Sequence, residues 1–171
     1  MSQPEAWLRG PLEGVAPMLM PAAHALVQAG EDLEQAASDL TVEELWVKPG
    51  GAASLGFHLG HIAGSIDRLL TYARGEQLSQ SQRQAIPLEG QPGDPLVKAA
   101  TLIREVQAAI KRALAAIRAT PKESLSEART IGRKVLPTNA LGLFFHIAEH
   151  TQRHTGQVIT TAKIVRGLGL R

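Results

Sequence analysis

The stretch "DPLVKAATLIREVQAAIKRALAAI", residues 94–117, decides the fold expected of this chain. Its apolar residues recur at intervals of three and four, which places them on one face of an α-helix; they are Ala99, Leu102, Ile103, Val106, Ile110, Ala113, Leu114 and Ile117. Asp94 followed by Pro95 has the form of a helix cap and a first helical residue. The pattern predicts a long amphipathic helix that begins near Asp94 and ends before Thr120.

Three other segments show helical periodicity. The first begins near Pro17 or Pro21 and has leucines at seven-residue spacing, namely Leu19, Leu26, Leu33 and Leu40. The second covers residues 53–75, with Ser54 as the predicted cap and Gly75 as the predicted stop. The last begins at Thr138 or Asn139 and continues to about Val165. These segments predict four long helices, each with one apolar face.

The segments between the long helices predict turns and loops. Thr41 and Glu44 form a capping-box pattern for a short helical turn. Residues 76–93 are polar and rich in Pro and Gly, and predict a long loop with one helical turn after Ser79. Residues 126–139 predict an irregular connector, and no segment predicts a strand. We therefore expect an all-α fold, an up-down four-helix bundle with long connecting loops, formed by a single domain over residues 1–171.

Composition excludes several classes of function. The chain has 171 residues and no cysteine, which excludes disulfides, cysteine nucleophiles, Cys-type zinc sites and iron–sulfur clusters. The formal net charge is +2 and the basic residues are scattered, so we expect no binding to nucleic acid. The sequence shows neither a signal-peptide pattern nor an apolar stretch of about 18 residues. We therefore expect a cytoplasmic protein that does not associate with membranes.

Histidines supply the candidate site. In "HIAEHTQRHTGQV", residues 146–158, His150 and His154 lie four residues apart and project from one helix face. That face also carries apolar residues, and buried imidazoles need partners, which a metal ion provides. A third ligand would come from the second helix, where either His58 or His61 meets the requirement. The small residues of "GHIAG" around His61 predict that another helix comes close there.

Other polar residues of the long helices give weaker indications of function. "HTQRH" lacks a Glu directly after its first His, which disfavours a metalloprotease. Glu149 points about 100° away from His150 and is either a partner of a ligand or, as we favour, solvated. Arg68 would either bind an anionic group of a substrate or, as we favour, lie exposed at the helix edge. His24 is expected to be an ordinary hydrogen-bonded histidine, and the role of His146 stays open.

Two long stretches resemble one known family. "SLGFHLGHIAGSIDRLLTYARGEQL", residues 54–78, and "GLFFHIAEHTQRHTGQVITT", residues 142–161, together with "LWVKPGG", residues 45–51, resemble the DinB-like superfamily of small helical metal proteins. The resemblance implies a four-helix bundle in which His61, His150 and His154 bind a divalent metal. It implies that His58 and His146 are extra histidines near the site.

The resemblance also implies a range of activities. Members include transferases that use bacillithiol, mycothiol or similar small thiols, and a mycothiol-dependent maleylpyruvate isomerase. Three histidines leave a coordination position open, and such a metal activates a bound water or thiol. We therefore expect a metal-dependent hydrolase or thiol-dependent S-transferase acting on a small molecule, with a low-molecular-weight thiol as its partner. No catalytic residue beyond the metal ligands is assigned.

Alternatives to this reading remain open. The chain would otherwise be a non-enzymatic, metal-stabilised binding or interaction protein, or a small-ligand binder derived from an enzyme. The expected metal is zinc or nickel, with iron or manganese as further candidates. We also expect a homodimer, which helical bundles of this size often form.

Overall fold

The computed structural model describes residues 3–170 and is mainly helical. The helices are α1 (Met20–Ala37), α2 (Val42–Trp46), α3 (Leu55–Ala73), α4 (Gln80–Ala85), α5 (Ala99–Ala119) and α6 (Ala140–Gly167). Short 3₁₀ turns lie at Ala6–Leu8, Pro17–Leu19, Pro49–Gly51, Ile86–Leu88 and Lys122–Ser126. The two strands are β1 (Ala128–Ile131) and β2 (Leu136–Asn139). The four long helices expected from periodicity are all present.

Side-chain caps begin most of these helices where the sequence predicts them. The Thr41 hydroxyl accepts from the Glu44 N–H at 3.2 Å, and the Glu44 carboxylate accepts from the Thr41 N–H at 2.9 Å. Ser54 caps α3, and Ser79 caps α4, the helical turn expected within the long loop. Each cap satisfies N–H groups that have no partner inside the helix.

The predicted start of α5 is wrong. The helix begins at Ala99 and not at Asp94, because the backbone before it is bonded elsewhere. The Val97 N–H donates to the Pro92 carbonyl at 2.8 Å, and the Val97 carbonyl accepts from the Trp46 indole N–H at 3.0 Å. These bonds hold residues 92–97 in a turn, so the helical pattern starts only after them.

The apolar faces of the four long helices meet in one core. Leu19, Leu26 and Leu33 of the first stripe are fully buried, as are Leu59 and Ile62 of α3. Most of the apolar stripe of α5 is also buried, although Leu114 is only partly buried. Burying a leucine or isoleucine contributes about 1.5–3 kcal/mol each, so this shared core is the main source of stability.

Helix α1 runs parallel to α6. The Gln152 amide donates to the Ala25 carbonyl at 2.7 Å, and Asp39, just after the end of α1, forms an ion pair with Arg166 at the end of α6. Helix α3 runs antiparallel to α6, because His58 faces His154 whereas His61 faces His150.

Helix α5 runs antiparallel to α1 and therefore parallel to α3. Gln107, in the middle of α5, donates to the Gly30 carbonyl at 2.8 Å. Arg118, at the C-terminal end of α5, donates to the carbonyl of Glu13, which precedes the start of α1. The prediction that successive long helices alternate up and down is thus wrong between α3 and α5. Residues 74–98, here named the crossover, are long enough to return along α3 before α5 begins.

Contacts along α3 trace the path of the crossover. Gln82 donates to Asp67 at 2.7 Å and to Thr71 at 2.8 Å, near the end of α3. Glu89 contacts His61, almost two turns from the start of α3, and Val97 reaches Trp46 just before α3. The crossover therefore runs antiparallel to α3 and covers one of its faces.

A small hairpin replaces the predicted irregular connector. β1 and β2 pair antiparallel, with Ala128 opposite Asn139 and Ile131 opposite Leu136. Gly132 with φ +68° and Val135 with φ +53° turn the chain between them. The pairing satisfies backbone groups that an extended connector would leave exposed, and sequence periodicity over four-residue strands is too short to reveal it.

Among residues 3–170 we find no helix with the combination of length and apolar character needed to cross a membrane.

Gly56 tests how closely α2 packs on α3. A Cβ added at this position would lie 2.5 Å from the Trp46 ring, so we expect Gly56→Ala to lower the free energy of unfolding by about 1–3 kcal/mol. Gly156→Ala on α6 is the control, since a Cβ there meets no atom within 4 Å, and alanine should stabilise the helix by about 0.5–1 kcal/mol. Urea denaturation of both variants measures the difference; equal changes would contradict close packing at Gly56.

Candidate metal centre

Three imidazoles converge between α3 and α6. One ring nitrogen from each of His61, His150 and His154 lies within 4.8 Å of the other two, and the Nε2 atoms of His61 and His150 are 3.0 Å apart. Ligand nitrogens of a tetrahedral zinc site are separated by about 3.3 Å, given Zn–N bonds of about 2.0–2.1 Å. The three residues predicted as ligands therefore come close enough to hold a metal, while their binding of one stays a prediction.

The chemistry of these nitrogens fits a metal ion. Burial and the neighbouring imidazoles lower the pKa of His154 to about 4, and burial lowers the pKa of His150 as well. Both rings are therefore neutral at physiological pH and offer lone pairs. The buried Nδ1 of His150 has no hydrogen-bond partner within the described residues. Because Nε2 of the same ring faces His61, this Nδ1 lies on the other side of the ring, where a water molecule would satisfy it.

Glu89 of the crossover orients His61. The His61 Nδ1–H donates to Glu89 Oε2 at 2.7 Å, and Nε2, on the other side of the ring, is directed at His150. Carboxylate partners of this kind fix the tautomer of metal-binding histidines. The other carboxylate oxygen accepts from Arg68, so two donors hold Glu89, whose side chain is only 8% exposed.

The charge of Glu89 is retained despite its burial. Burial alone raises the pKa of this carboxyl group, but hydrogen bonds from His61 and Arg68 outweigh that effect and bring the pKa below its usual value. Arg68 is 12% exposed, so the prediction of an exposed arginine is wrong. Its positive charge is paired with Glu89 on the outer side of the site.

Two glycines make the approach of Glu89 possible. A Cβ on Gly60 would lie 3.2 Å from the Glu89 carbonyl oxygen, and a Cβ on Gly64 would overlap the Glu89 carboxylate. The small residues of "GHIAG" were expected to admit another helix, but the segment they admit is the crossover. The sequence does not predict the role of Glu89, because this residue lies in a loop 28 residues from His61 and belongs to no periodic pattern.

His58 is the hydrogen-bond partner of His154. Their Nδ1 atoms are 3.0 Å apart, and His58 is 5% exposed. Burial and the nearby His61 lower the pKa of His58. A contact between two ring nitrogens holds one proton, so one ring donates and the other accepts. His58 therefore joins the cluster beside His154, outside the group of three.

His146 and Glu149 lie at the rim of the cluster. The His146 Nδ1–H donates to Glu149 at 2.7 Å, and Arg153 pairs with the same carboxylate at 2.9 Å. Burial raises the pKa of Glu149, but these two donors bring it below its usual value. Glu149 is thus a partner of His146, where we expected a solvated side chain. His24 lies elsewhere and bonds the Gly10 carbonyl at 2.9 Å, as expected of an ordinary histidine.

Comparison with known families identifies the chain. The family model of the DinB superfamily matches residues 25–158, which include most of α1, all of α3 and α5, and the three histidines of the cluster. The chain belongs to the DinB superfamily, as its resemblance predicted.

A solved structure has a similar fold. The crystal structure of a DinB-like protein from Bacillus cereus ATCC 10987 is 17% identical, with a TM-score of 0.61 over 88% of this chain and 92% of that chain. At this identity the likeness concerns the fold alone. Comparison with curated protein sequences gave no match.

The lowered pKa of His154 predicts how pH affects the metal-free protein. Unfolded histidine titrates near 6.5 and folded His154 near 4, so the unfolded chain binds more protons between these values. Stability of chelator-treated protein should therefore fall as pH decreases from about 6.5 to about 4, by at most about 3 kcal/mol from this residue. Urea denaturation across this range should show a weaker pH dependence for His154→Gln; an identical dependence would contradict the assignment.

Gly64→Ala tests the contact between the crossover and His61. The added methyl group displaces the Glu89 carboxylate, so the variant should bind Zn²⁺ about 10–100-fold more weakly, the usual cost of losing such a carboxylate. Gly156→Ala, with no atom near its added Cβ, is the matched control and should bind as tightly as the natural sequence. Isothermal titration calorimetry measures both, and equal affinities would show that Glu89 does not support the site.

Proposed function

We propose that this protein binds one divalent metal ion through His61, His150 and His154 and uses it in a hydrolase or thiol-dependent S-transferase reaction on a small molecule. The observation that carries the proposal is the convergence of three imidazoles from two antiparallel helices. A carboxylate from a third segment additionally fixes one of them. The chain also belongs to the DinB superfamily, and its resemblance to that family implies metal-dependent thiol chemistry, which supports the same conclusion.

Three imidazole ligands favour a catalytic role over a purely structural one. Structural zinc sites usually have four protein ligands, whereas catalytic sites have three and an open position. When bound in such a site, a divalent ion lowers the pKa of a coordinated water or thiol and so supplies a nucleophile near neutral pH. Because neutral imidazoles bring no negative charge, the ion would keep its full charge for this purpose.

The chain's own residues supply orientation and proton exchange. Glu89 holds the ring of His61, and His58 holds the ring of His154. His146, with its side chain 44% exposed and its ring 5.3 Å from that of His150, lies at the rim. We propose that it carries a proton between the site and solvent.

A thiol would have to come from a second substrate. The chain has no cysteine, so no protein thiolate is available for transfer. A low-molecular-weight thiol is the co-substrate that the family resemblance implies. Zinc or nickel is the proposed metal because imidazole suits both ions, and iron or manganese is a further candidate.

We further propose the setting in which the protein works. The shared core of the four long helices supports a four-helix bundle that folds as one domain over residues 1–171. The modest net charge of +2 supports a small-molecule substrate over nucleic acid or membranes. We propose a cytoplasmic homodimer on the analogy of other helical bundles of this size.

The second candidate is a non-enzymatic protein in which the metal only joins α3 to α6. The observation in its favour is that the ligands lie on these two helices and are backed by side chains already held in place. A structural metal contributes strongly to folding, whereas a catalytic metal contributes less. Thermal denaturation with and without chelator separates the two, since a large loss on chelation favours the structural role.

Ligand variants test the metal site directly. We expect His61→Gln, His150→Gln and His154→Gln each to weaken Zn²⁺ binding at least about 100-fold, because two imidazoles hold a metal poorly. His24→Gln, which removes a histidine outside the cluster, is the control and should bind normally. Calorimetry measures affinity; unchanged binding in any of the three would remove that residue from the ligand set.

Turnover is measured separately. Zinc- or nickel-loaded protein is incubated with small thiols and a model electrophile, or with a panel of hydrolysable esters and amides, and products are followed by mass spectrometry. A metal-dependent rate abolished by His150→Gln supports an enzyme. Tight metal binding without any such rate would leave the metal site intact and overturn the enzymatic assignment.

A further inference from the structure

A second cavity lies far from the histidine cluster. It has a volume of about 340 Å³ and forms where the end of α3, the first half of the crossover and the hairpin turn meet. Six residues define its chemistry: Tyr72, Leu78, Arg83, Ile86, Pro87 and Arg133. Tyr72 follows His61 by eleven residues on the same helix, which corresponds to about 16 Å along the axis. The cavity is therefore separate from the proposed metal centre.

Tyr72 provides a hydrogen-bond donor on the wall of the cavity. The residue is 7% exposed and lines the cavity. A tyrosine side chain combines an apolar ring with a hydroxyl that can donate a hydrogen bond. Tyr72 can therefore contact both the apolar part and a polar group of a bound molecule.

The charge of the cavity is positive and uncompensated. Arg83 and Arg133 both line it, and no lining residue is acidic. Arg83 donates to the Leu78 carbonyl, which holds its guanidinium beside the cavity while other N–H groups stay available. Neither arginine forms an ion pair within residues 3–170, unlike Arg68 and Arg129 close by. Two guanidinium groups on one small cavity favour an anion, and their planar donors match a carboxylate.

Gln77 and Gly132 also line the cavity, and most of the remaining wall is apolar. Leu78, Ile86 and Pro87 border the space next to the two arginines, and Ile86 is 45% exposed although it is a large aliphatic residue. A bare inorganic anion would leave this surface in contact with water. A molecule with an apolar body and one anionic end would cover it and use both parts of the cavity.

We propose that this cavity binds a small organic carboxylate with an aromatic or branched aliphatic body. The carboxylate lies between the guanidinium groups of Arg83 and Arg133 and accepts from the Tyr72 hydroxyl. The body packs against Leu78, Ile86 and Pro87. A volume of about 340 Å³ suits a molecule of roughly ten heavy atoms. This inference does not depend on the proposed metal chemistry, and each can fail alone.

The chain offers a reporter for this cavity alone, because Tyr72 is its one tyrosine. Full-length protein labelled with 3-fluorotyrosine gives a single fluorine resonance, whose shift is followed during titration. The probes are benzoate, inorganic phosphate and benzylamine, which supply a carboxylate with an apolar body, an anion without one, and a cation with the same body. We expect a saturable shift with benzoate and a Kd of about 1 mM, with weaker binding of phosphate and none of benzylamine.

Variants assign the binding to named side chains. Arg133→Gln should weaken benzoate binding about tenfold, and Arg83→Gln with Arg133→Gln should weaken it further. Arg112→Gln is the matched control, since it removes the same charge from an exposed position on α5 outside the cavity. Tyr72→Phe removes the reporter and is measured by calorimetry, with an expected loss of about five- to tenfold. Arg133 is exposed in the hairpin turn, so its variant should fold even if the double variant is unstable.

Several outcomes would overturn the proposal. The absence of a saturable shift with benzoate would show that the cavity binds no such carboxylate. Phosphate binding as tight as benzoate would replace the organic carboxylate with a simple anion. Benzylamine binding of equal strength, or an equal loss in Arg112→Gln, would show that the two lining arginines do not select the ligand.

Discussion

The parallel direction of α3 and α5 is the constraint on which the rest of the structure depends. Two consecutive helices that point the same way must be joined by a segment that returns over the length of the first. Here that segment runs back along α3, is fastened to it at Gln82 and Glu89, and reaches Trp46 of α2 at Val97. The same path brings a carboxylate to His61, closes one wall of the second cavity and delays the start of α5.

The histidine cluster shows how a helical core accommodates polar groups. His58 and His154 are buried and neutral, and they use each other as partners. Glu89 and Arg68 bring opposite charges to the outer side of the site, where each compensates the other. Buried charge is tolerated when it is paired and hydrogen-bonded. No Asp, Glu, Lys or Arg side chain is thus needed on the side where His58 and His154 lie, and neutral ring nitrogens there suit a cation.

The long helices and most of the histidine cluster could be predicted from the sequence, because their patterns lie within single helices or short motifs. Helical periodicity is written over a dozen or more residues, so α1, α3, α5 and α6 could be predicted together with the faces they bury. The four-residue spacing of His150 and His154 fixed their common face, and the family resemblance selected His61 over His58. Each of these inferences concerns residues within one helix or a motif that recurs in relatives.

What the sequence could not provide was non-local or too short to carry a pattern. Glu89 belongs to a loop, and nothing around it signals that it will meet His61. The hairpin strands are four residues each, below the length at which alternation becomes distinctive. The direction of α5 depends on the path of the crossover. Asp94 has the local pattern of a helix cap, but the hydrogen bond from Trp46 to Val97 keeps the helix from starting there. That bond joins residues 51 positions apart, so the sequence around Asp94 does not reveal it.

The glycines at positions 60 and 64 also determine how the crossover contacts α3. Since no side chain from these positions interlocks with it, the segment around Glu89 is held there mainly by one hydrogen bond and one ion pair. These two contacts lie outside the packed apolar core. The orientation of His61 therefore depends on a segment outside the four long helices, whereas His150 and His154 are carried by α6.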